Sequence, residues 1–249
     1  KAVYDSYVCS LRSQDRLKKS PAAVRLGVRY PIIQGAMSWI TDEPEFARQV
    51  ATAGALPTIA LGVLDPQTIE NKFCDLRDKM RGLPFAINIV TLPDNPHRGF
   101  HFDWVLKIRP RFVVIAAGDP THAPRFIAEG IDVIYVTSAP DLMKLAFDLG
   151  VKFVVCEGNE AGGHVGTHST LTLAQVILGL RHTSPELFED KTIILAGGIY
   201  DRDTAFLASV LGADAIQVGT AYLTTQEILS TGALAPLYQK KILEALPGD

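Results

Sequence analysis

The sequence predicts a (β/α)8 TIM barrel, an α/β fold with parallel strands. Three observations carry that expectation. Eight apolar, β-branched runs recur at fairly even intervals along the 249 residues. Helical stretches that open on acidic or proline signals and close on glycine fill most of the gaps. The first run is followed by "AMSWITDEP" rather than the GxGxxG turn of an open doubly wound sheet. Eight strand–helix units fit a barrel, whose usual size is roughly 250 residues.

The runs, in order, are "YPIIQG" (30–35), "ALPTIAL" (55–61), "PFAINIV" (84–90), "FVVIAAG" (112–118), "DVIYVTS" (132–138), "KFVVC" (152–156), "TIILAGG" (192–198) and "AIQVGT" (215–220). They are nearly continuous in apolar residues, as strands covered on both faces are. "DEPEFARQVATAG" places Pro44 and acidic residues in a first helical turn and Gly54 at its end. "DPQTIENKFCDLRDKM" reads as one helix with Asp65 as N-cap and Pro66 at the first position. "APDLMKLAFDLG" and "DRDTAFLASVLG" repeat the pattern, each closing on glycine. Residues 1–29 read as a polar N-terminal arm, 30–230 as the barrel, and 231–249 as a short closing helix and tail that looks truncated. The chain starts at Lys1 and ends on "EALPGD" with no obvious closing element, as a processed chain or a domain of a longer polypeptide would.

Composition excludes several function classes. Hydrophobic residues make up 47% and charged residues 20%, which supports a sizeable core and argues against disorder. The net charge of −3, without a basic run, gives no support to a nucleic-acid partner or an anionic membrane surface. The least charged stretch, residues 53–64, is too short for a bilayer and contains Pro57; no signal peptide is visible. Cys9, Cys74 and Cys156 are widely spaced with no CxxC, so they form neither a disulfide framework nor a zinc site. They read as thiols of a reducing compartment, which places the protein in the cytoplasm. Cys156 ends an apolar run and is expected to be packed and inert. No HxH or HExxH is present, so no metal is expected.

In a barrel, function sits at the C-terminal ends of the strands. "LAGGI" and "QVGT" end runs seven and eight, where many barrels bind a phosphate through backbone N–H groups. Gly197, Gly198 and Gly219 would let an anion approach the backbone, and Thr220 adds a hydroxyl. The bland alternative is a pair of tight turns. After the first run, Gly35 and Ala36 leave room for a flat ligand and Met37 offers polarizable surface, although such a methionine is as readily core. Asn88 is an amide in an apolar strand, needing either a backbone hydrogen bond or a ligand. After the sixth run, "EGNEAGGHVG" (157–166) holds Glu157, Glu160, Gly162, Gly163 and His164. His164 has the pKa range of a general acid or base, or is a surface loop histidine. His168 lies further out; His97, His101, His122 and His182 are scattered over helices and loops.

Together these residues resemble the nitronate monooxygenase / 2-nitropropane dioxygenase-like family of FMN-dependent barrels, which includes flavin-dependent enoyl-acyl-carrier-protein reductases. The matching pieces are "YPIIQGAMSW", "PFAINIV", "EGNEAGGHVG", "LAGGI" and "GADAIQVGTAYL", in order from residue 30 to about 228, with "EAGGH" the most specific. The resemblance implies FMN at the C-terminal face. Gly35, Ala36 and Met37 would lie against the isoalloxazine, Asn88 would contact it, and Gly162 and Gly163 would pass beside it. Gly197, Gly198, Gly219 and Thr220 would cradle the phosphate, Ala196, Gln217 and Glu157 would face the cofactor, and His164 would be the catalytic residue. Glu157 and the pair Gly35-Ala36 look closer to the enoyl reductase branch, because nitronate oxidisers more often carry glutamine and alanine-proline there. Family members usually carry a further helical segment after the part matching "LYQKKILEA", which helps cover the active site.

The resemblance implies an enoyl-thioester reductase using NADH or NADPH on a small or acyl-carrier-bound substrate. Alternatives are a nitronate monooxygenase, a flavin-binding domain with little activity alone among the neighbouring domains of a larger synthase, and a barrel acting on a sugar phosphate without flavin. A homodimer is left open.

Overall fold

A computed structural model describes residues 20–163 and 165–245. Its eight strands are β1 (Ile32–Gln34), β2 (Thr58–Ala60), β3 (Ala86–Val90), β4 (Phe112–Ala116), β5 (Asp132–Thr137), β6 (Phe153–Glu157), β7 (Thr192–Ala196) and β8 (Ala215–Val218). They pair in parallel, in the order β1-β8-β7-β6-β5-β4-β3-β2. Each falls within one of the eight apolar runs, except that β6 extends one residue past its run, to Glu157. The ring closes between the two shortest strands through a bridge between Ile33 and Leu56. The Gln34 N–H donates to the Leu56 carbonyl at 2.8 Å, and the fully buried Gln34 side chain accepts from the Thr58 N–H at 3.1 Å. A side-chain amide thus spans a seam where backbone pairing is sparse.

Alternation along each strand separates two cores. Ile33, Ala86, Phe112, Val114, Ile134, Phe153, Val155, Ile194, Ala196 and Ala215 fill the barrel interior. Ile87, Val113, Tyr135, Val154, Cys156, Ile193, Leu195 and Ile216 face the surrounding helices. Phe112 and Phe153 meet edge to face across the interior, ring centroids 5.2 Å apart.

Beneath them lies α1 (Pro21–Leu26), capped by the Ser20 hydroxyl and ended by Gly27 in the left-handed region (φ 70°). Ala22 and Leu26, four residues apart on one face, pack into the interior core. The described end of the arm is therefore a plug that closes the N-terminal mouth of the barrel. Its apolar residues, Pro21, Ala22, Ala23, Val24 and Leu26, form a run too short to register as a core element beside the charged residues that precede it.

The helical signals hold. α2 (Pro44–Ala53) closes on Gly54 at φ 102°. α3 (Pro66–Phe73) is capped by Asp65, whose carboxylate accepts from the Thr68 N–H at 3.1 Å. The single helix expected over "DPQTIENKFCDLRDKM" is two: the chain breaks at Cys74–Asp75, and α4 (Leu76–Met80) turns to pack against α2. Ile69, Phe73, Leu76 and Met80 are all buried. That demand from the neighbouring helix overrides local propensity. The outer layer continues with α5 (Arg98–Ile108), α6 (Ala123–Ile127), α7 (Pro140–Asp148), α8 (Thr170–Thr183), α9 (Arg202–Val210) and α10 (Gln226–Ser230). The closing helix α11 (Pro236–Glu244) is anchored by the buried Gln239 amide, which donates to the carbonyls of Leu223 and Thr225 at 2.9 and 2.8 Å. Among the described residues no helix is long and apolar enough to cross a membrane.

Candidate functional site

The inward parity set by Val155, Ala196 and Ala215 carries Glu157 and Gln217 onto the same inner surface, at the C-terminal mouth. In register, Glu157 pairs with Ala196 and Ala196 with Gln217. Two polar side chains therefore flank one methyl group across three neighbouring strands. Asn88, in phase with Ala86, joins the same surface from β3. It is 6% exposed, and its amide makes only long bonds, 3.3 Å to the Val114 carbonyl and 3.5 Å to that of Ile89. These bonds leave the side chain weakly held for a buried amide.

Gly35 extends β1, with its N–H donating to the Val218 carbonyl at 2.9 Å. A Cβ built on it would sit 3.2 Å from Cγ of Gln217, so the Gln217 side chain lies across this glycine. The next turn is closed by Met37, whose N–H donates to the Thr41 hydroxyl at 2.9 Å. A Cβ on Gly219 would come 3.9 Å from the Met37 sulfur, so the loops after β1 and β8 approach each other. Ala36, in the loop after β1, is half-buried.

The turns after β7 and β8 are open at Gly198 and Gly219, whereas Gly197 is closely packed by Thr170. Gly197 and Gly198 have φ of 104° and 67°, backbone that side chains disfavour. A Cβ on Gly198 would meet nothing nearer than Cβ of Glu160, at 3.5 Å. Thr220 is exposed and begins a 3₁₀ turn, Thr220–Thr224. α9 is capped by its own Asp201, whose carboxylate accepts from the Thr204 N–H at 2.8 Å. One N–H of its first turn is thereby paired from within the chain. Small inward groups at Gly35 and Ala196, open glycine turns and the polar rim of Asn88, Glu157 and Gln217 fit a flat, phosphorylated ligand.

In the loop after β6, Gly162 and Gly163 are exposed, Gly163 at φ 98°, with open space around both. His164 lies outside the described residues. His168 is exposed in the same loop. Burial pushes the Cys156 thiol up to about 12, which makes it inert, as expected. His101 is fully buried, with Nε2 2.9 Å from the Leu64 carbonyl, and burial pushes its pKa down, as a neutral structural imidazole requires. Among the described residues no cluster of three metal-ligating side chains exists.

Burial pushes the Glu157 carboxyl up to about 7 from an ordinary 4.5. Its protonated form is thus favoured in the folded chain. The stability this gives is fully present below the unfolded value and lost as pH rises through the folded one. Glu157→Gln is expected to melt higher than the wild type above pH 8, by up to about 3 kcal/mol of unfolding free energy. The difference should vanish near pH 4. Ligand-free thermal melts across that range measure it, and parallel curves would show the carboxyl to be well solvated.

Sequence reasoning missed two residues of this region. One is Gln34, which closes the ring. The other is Thr170, whose hydroxyl lies 3.1 Å from the carbonyls of both Ala196 and Gly197. Their partners are remote in sequence.

A family profile described as nitronate monooxygenase matches residues 98–246, more than half of the chain. The chain belongs to that family. It is a flavin-dependent oxidoreductase, and the family implies FMN. A probable nitronate monooxygenase from Staphylococcus saprophyticus is 28% identical, over 90% of this chain and 72% of its own. The structure of FabK from Thermotoga maritima is 27% identical with a TM-score of 0.77, covering 91% of this chain and 68% of that one. The enoyl reductase domain of MlnA from Bacillus amyloliquefaciens, 16% identical with a TM-score of 0.76 over 91% of this chain and 60% of that one, shares the fold.

Proposed function

We propose that this family member reduces the carbon–carbon double bond of an enoyl thioester, small or carried on an acyl carrier, with electrons from NADH or NADPH. Glu157 carries the reading. It is an inward carboxyl at the mouth, beside Ala196 and Gln217. Above about pH 7, where it ionises, it disfavours an anionic nitronate at that surface and leaves a neutral thioester unopposed. Bound FMN supplies the hydride chemistry. Gly35, Ala36 and Met37 give it a flat face, Asn88, Gln217 and Glu157 offer polar contacts, and Gly162 and Gly163 let the β6 loop pass close. Gly197, Gly198, Gly219 and Thr220 receive its phosphate, and Ala196 adds to the cofactor surface between Glu157 and Gln217. Reduction adds a hydride equivalent to the β-carbon and a proton to the α-carbon, and His164 delivers that proton.

A second reading, oxidation of nitronates by dioxygen, is supported by the family description and by the S. saprophyticus relative. The deciding experiment adds NADH or NADPH anaerobically to the FMN-loaded protein, then crotonyl thioester. Bleaching of the flavin followed by recovery supports the reductase. Oxygen uptake with an alkyl nitronate and no pyridine nucleotide would overturn it.

A further inference from the structure

The loop between β6 and α8, residues 158–169, is held at three places. At its base the Asn159 N–H donates to the His168 carbonyl at 2.9 Å. At its outer end it abuts the turn after β5: a Cβ on Gly166 would lie 2.5 Å from the Ser138 hydroxyl. The third hold is the most elaborate. The Glu160 carboxylate accepts from the Thr170 N–H at 2.8 Å, and the same oxygen lies 2.9 Å from the Thr170 hydroxyl. That hydroxyl also reaches the carbonyls of Ala196 and Gly197, so its single proton is held among three acceptors on two different loops.

The fit around Thr170 is close. A Cβ on Gly158 would come 2.2 Å from both its N and Oγ1, and a Cβ on Gly197 2.5 Å from Oγ1. Gly158 and Gly197 are thus glycines because Thr170 occupies the space beside them. The Thr170 N–H is one of the unpaired donors at the start of α8, where a carboxylate is favoured by the helix dipole. Partial burial pushes the Glu160 carboxyl up, but the hydrogen bonds from Thr170 outweigh it and keep it ionised. Gly162 and Gly163, beyond the clasp, touch nothing that an added Cβ would meet.

We propose that Glu160 and Thr170 are positioning residues: their clasp locks the β6 loop to the turn after β7 and so fixes the segment that carries Gly162 and Gly163. The inference rests on the reading of that loop as the one that delivers the proton. It assigns a task to the glutamate of "EAGGH" that requires no contact with substrate or cofactor.

The test compares FMN-loaded wild type, Thr170→Ser, Thr170→Val and Glu160→Gln. Amide hydrogen exchange over residues 158–169 is read alongside steady-state rates. Thr170→Val should speed exchange in this loop by about tenfold, the usual effect of losing a charge-assisted hydrogen bond. Exchange in β3–β5 should not change. It should lower kcat by a similar factor with KM for the pyridine nucleotide nearly unchanged. Thr170→Ser should restore both, and Glu160→Gln, which keeps an acceptor but loses the charge, should fall between. Unchanged loop exchange in Thr170→Val, or no rescue by serine, overturns the clasp. Should Thr170→Val fail to fold, Glu160→Gln against Thr170→Ser decides by the same exchange readout. A wild type inactive on every enoyl thioester would refute the reductase while leaving the exchange result to decide the clasp.

Discussion

Replacing His164 by alanine is expected to leave FMN bound and to lower turnover by about 10²–10⁴-fold, the usual span for losing a general acid or base. Retention follows from where the proposed cofactor contacts lie. The glycine turns after β7 and β8, the flat segment after β1 and the rim of Asn88, Glu157 and Gln217 belong to strands β1, β3, β6, β7 and β8 and to the turns after β1, β7 and β8, not to the loop segment that carries residue 164. The loss falls on the step that needs a proton at the α-carbon. An absorbance spectrum of the purified variant reads the bound flavin, and initial rates with NADH and crotonyl thioester read the turnover. The half-reaction should separate the two roles: flavin bleaching by NADH should survive the substitution, and reoxidation by the thioester should not. Turnover equal to the wild type would remove His164 from the mechanism. A colourless variant would instead make the imidazole part of the cofactor site.

The barrel was legible because its signals are local. Pro44 with Gly54, and Asp65 with Pro66, mark helix ends through backbone geometry that neighbours in sequence decide alone, and both pairs stand where expected. The β-branched runs needed only their two covered faces. What was not legible depends on partners far along the chain. Gln34 earns its place through Thr58, 24 residues away, and Thr170 through Ala196 and Gly197, 26 and 27 residues away. The break between α3 and α4 answers to α2, and the plug α1 to a barrel interior assembled from eight strands. At the site, the glycines announced an open approach, but only the register showed Glu157 and Gln217 on either side of Ala196. The two cases differ in kind. A motif reveals where backbone must stay bare, whereas tertiary register reveals which side chains look into the space so left.

Gly198→Val is expected to lower FMN affinity by about 100-fold or more, a loss of roughly 3 kcal/mol. Two causes act together. The backbone at 198 sits at φ 67°, which costs a side-chain-bearing residue about 1–2 kcal/mol and more when it is β-branched. The added side chain also enters the open space above the turn, since its Cβ has only Glu160, at 3.5 Å, for a neighbour. Gly219→Val separates the causes. There φ is −110°, outside the left-handed region, and a Cβ meets only the Met37 sulfur, at 3.9 Å. If occlusion of the phosphate dominates, both variants lose FMN to a similar degree while only Gly198→Val melts lower. If strain dominates, Gly219→Val stays yellow. Flavin fluorescence titrations of the two stripped variants, with melts of each, distinguish these outcomes. Saturation of both at wild-type FMN concentrations would move the phosphate away from the turns after β7 and β8. Because the two turns sit on adjacent paired strands, one phosphate between them must feel a branched side chain from either side.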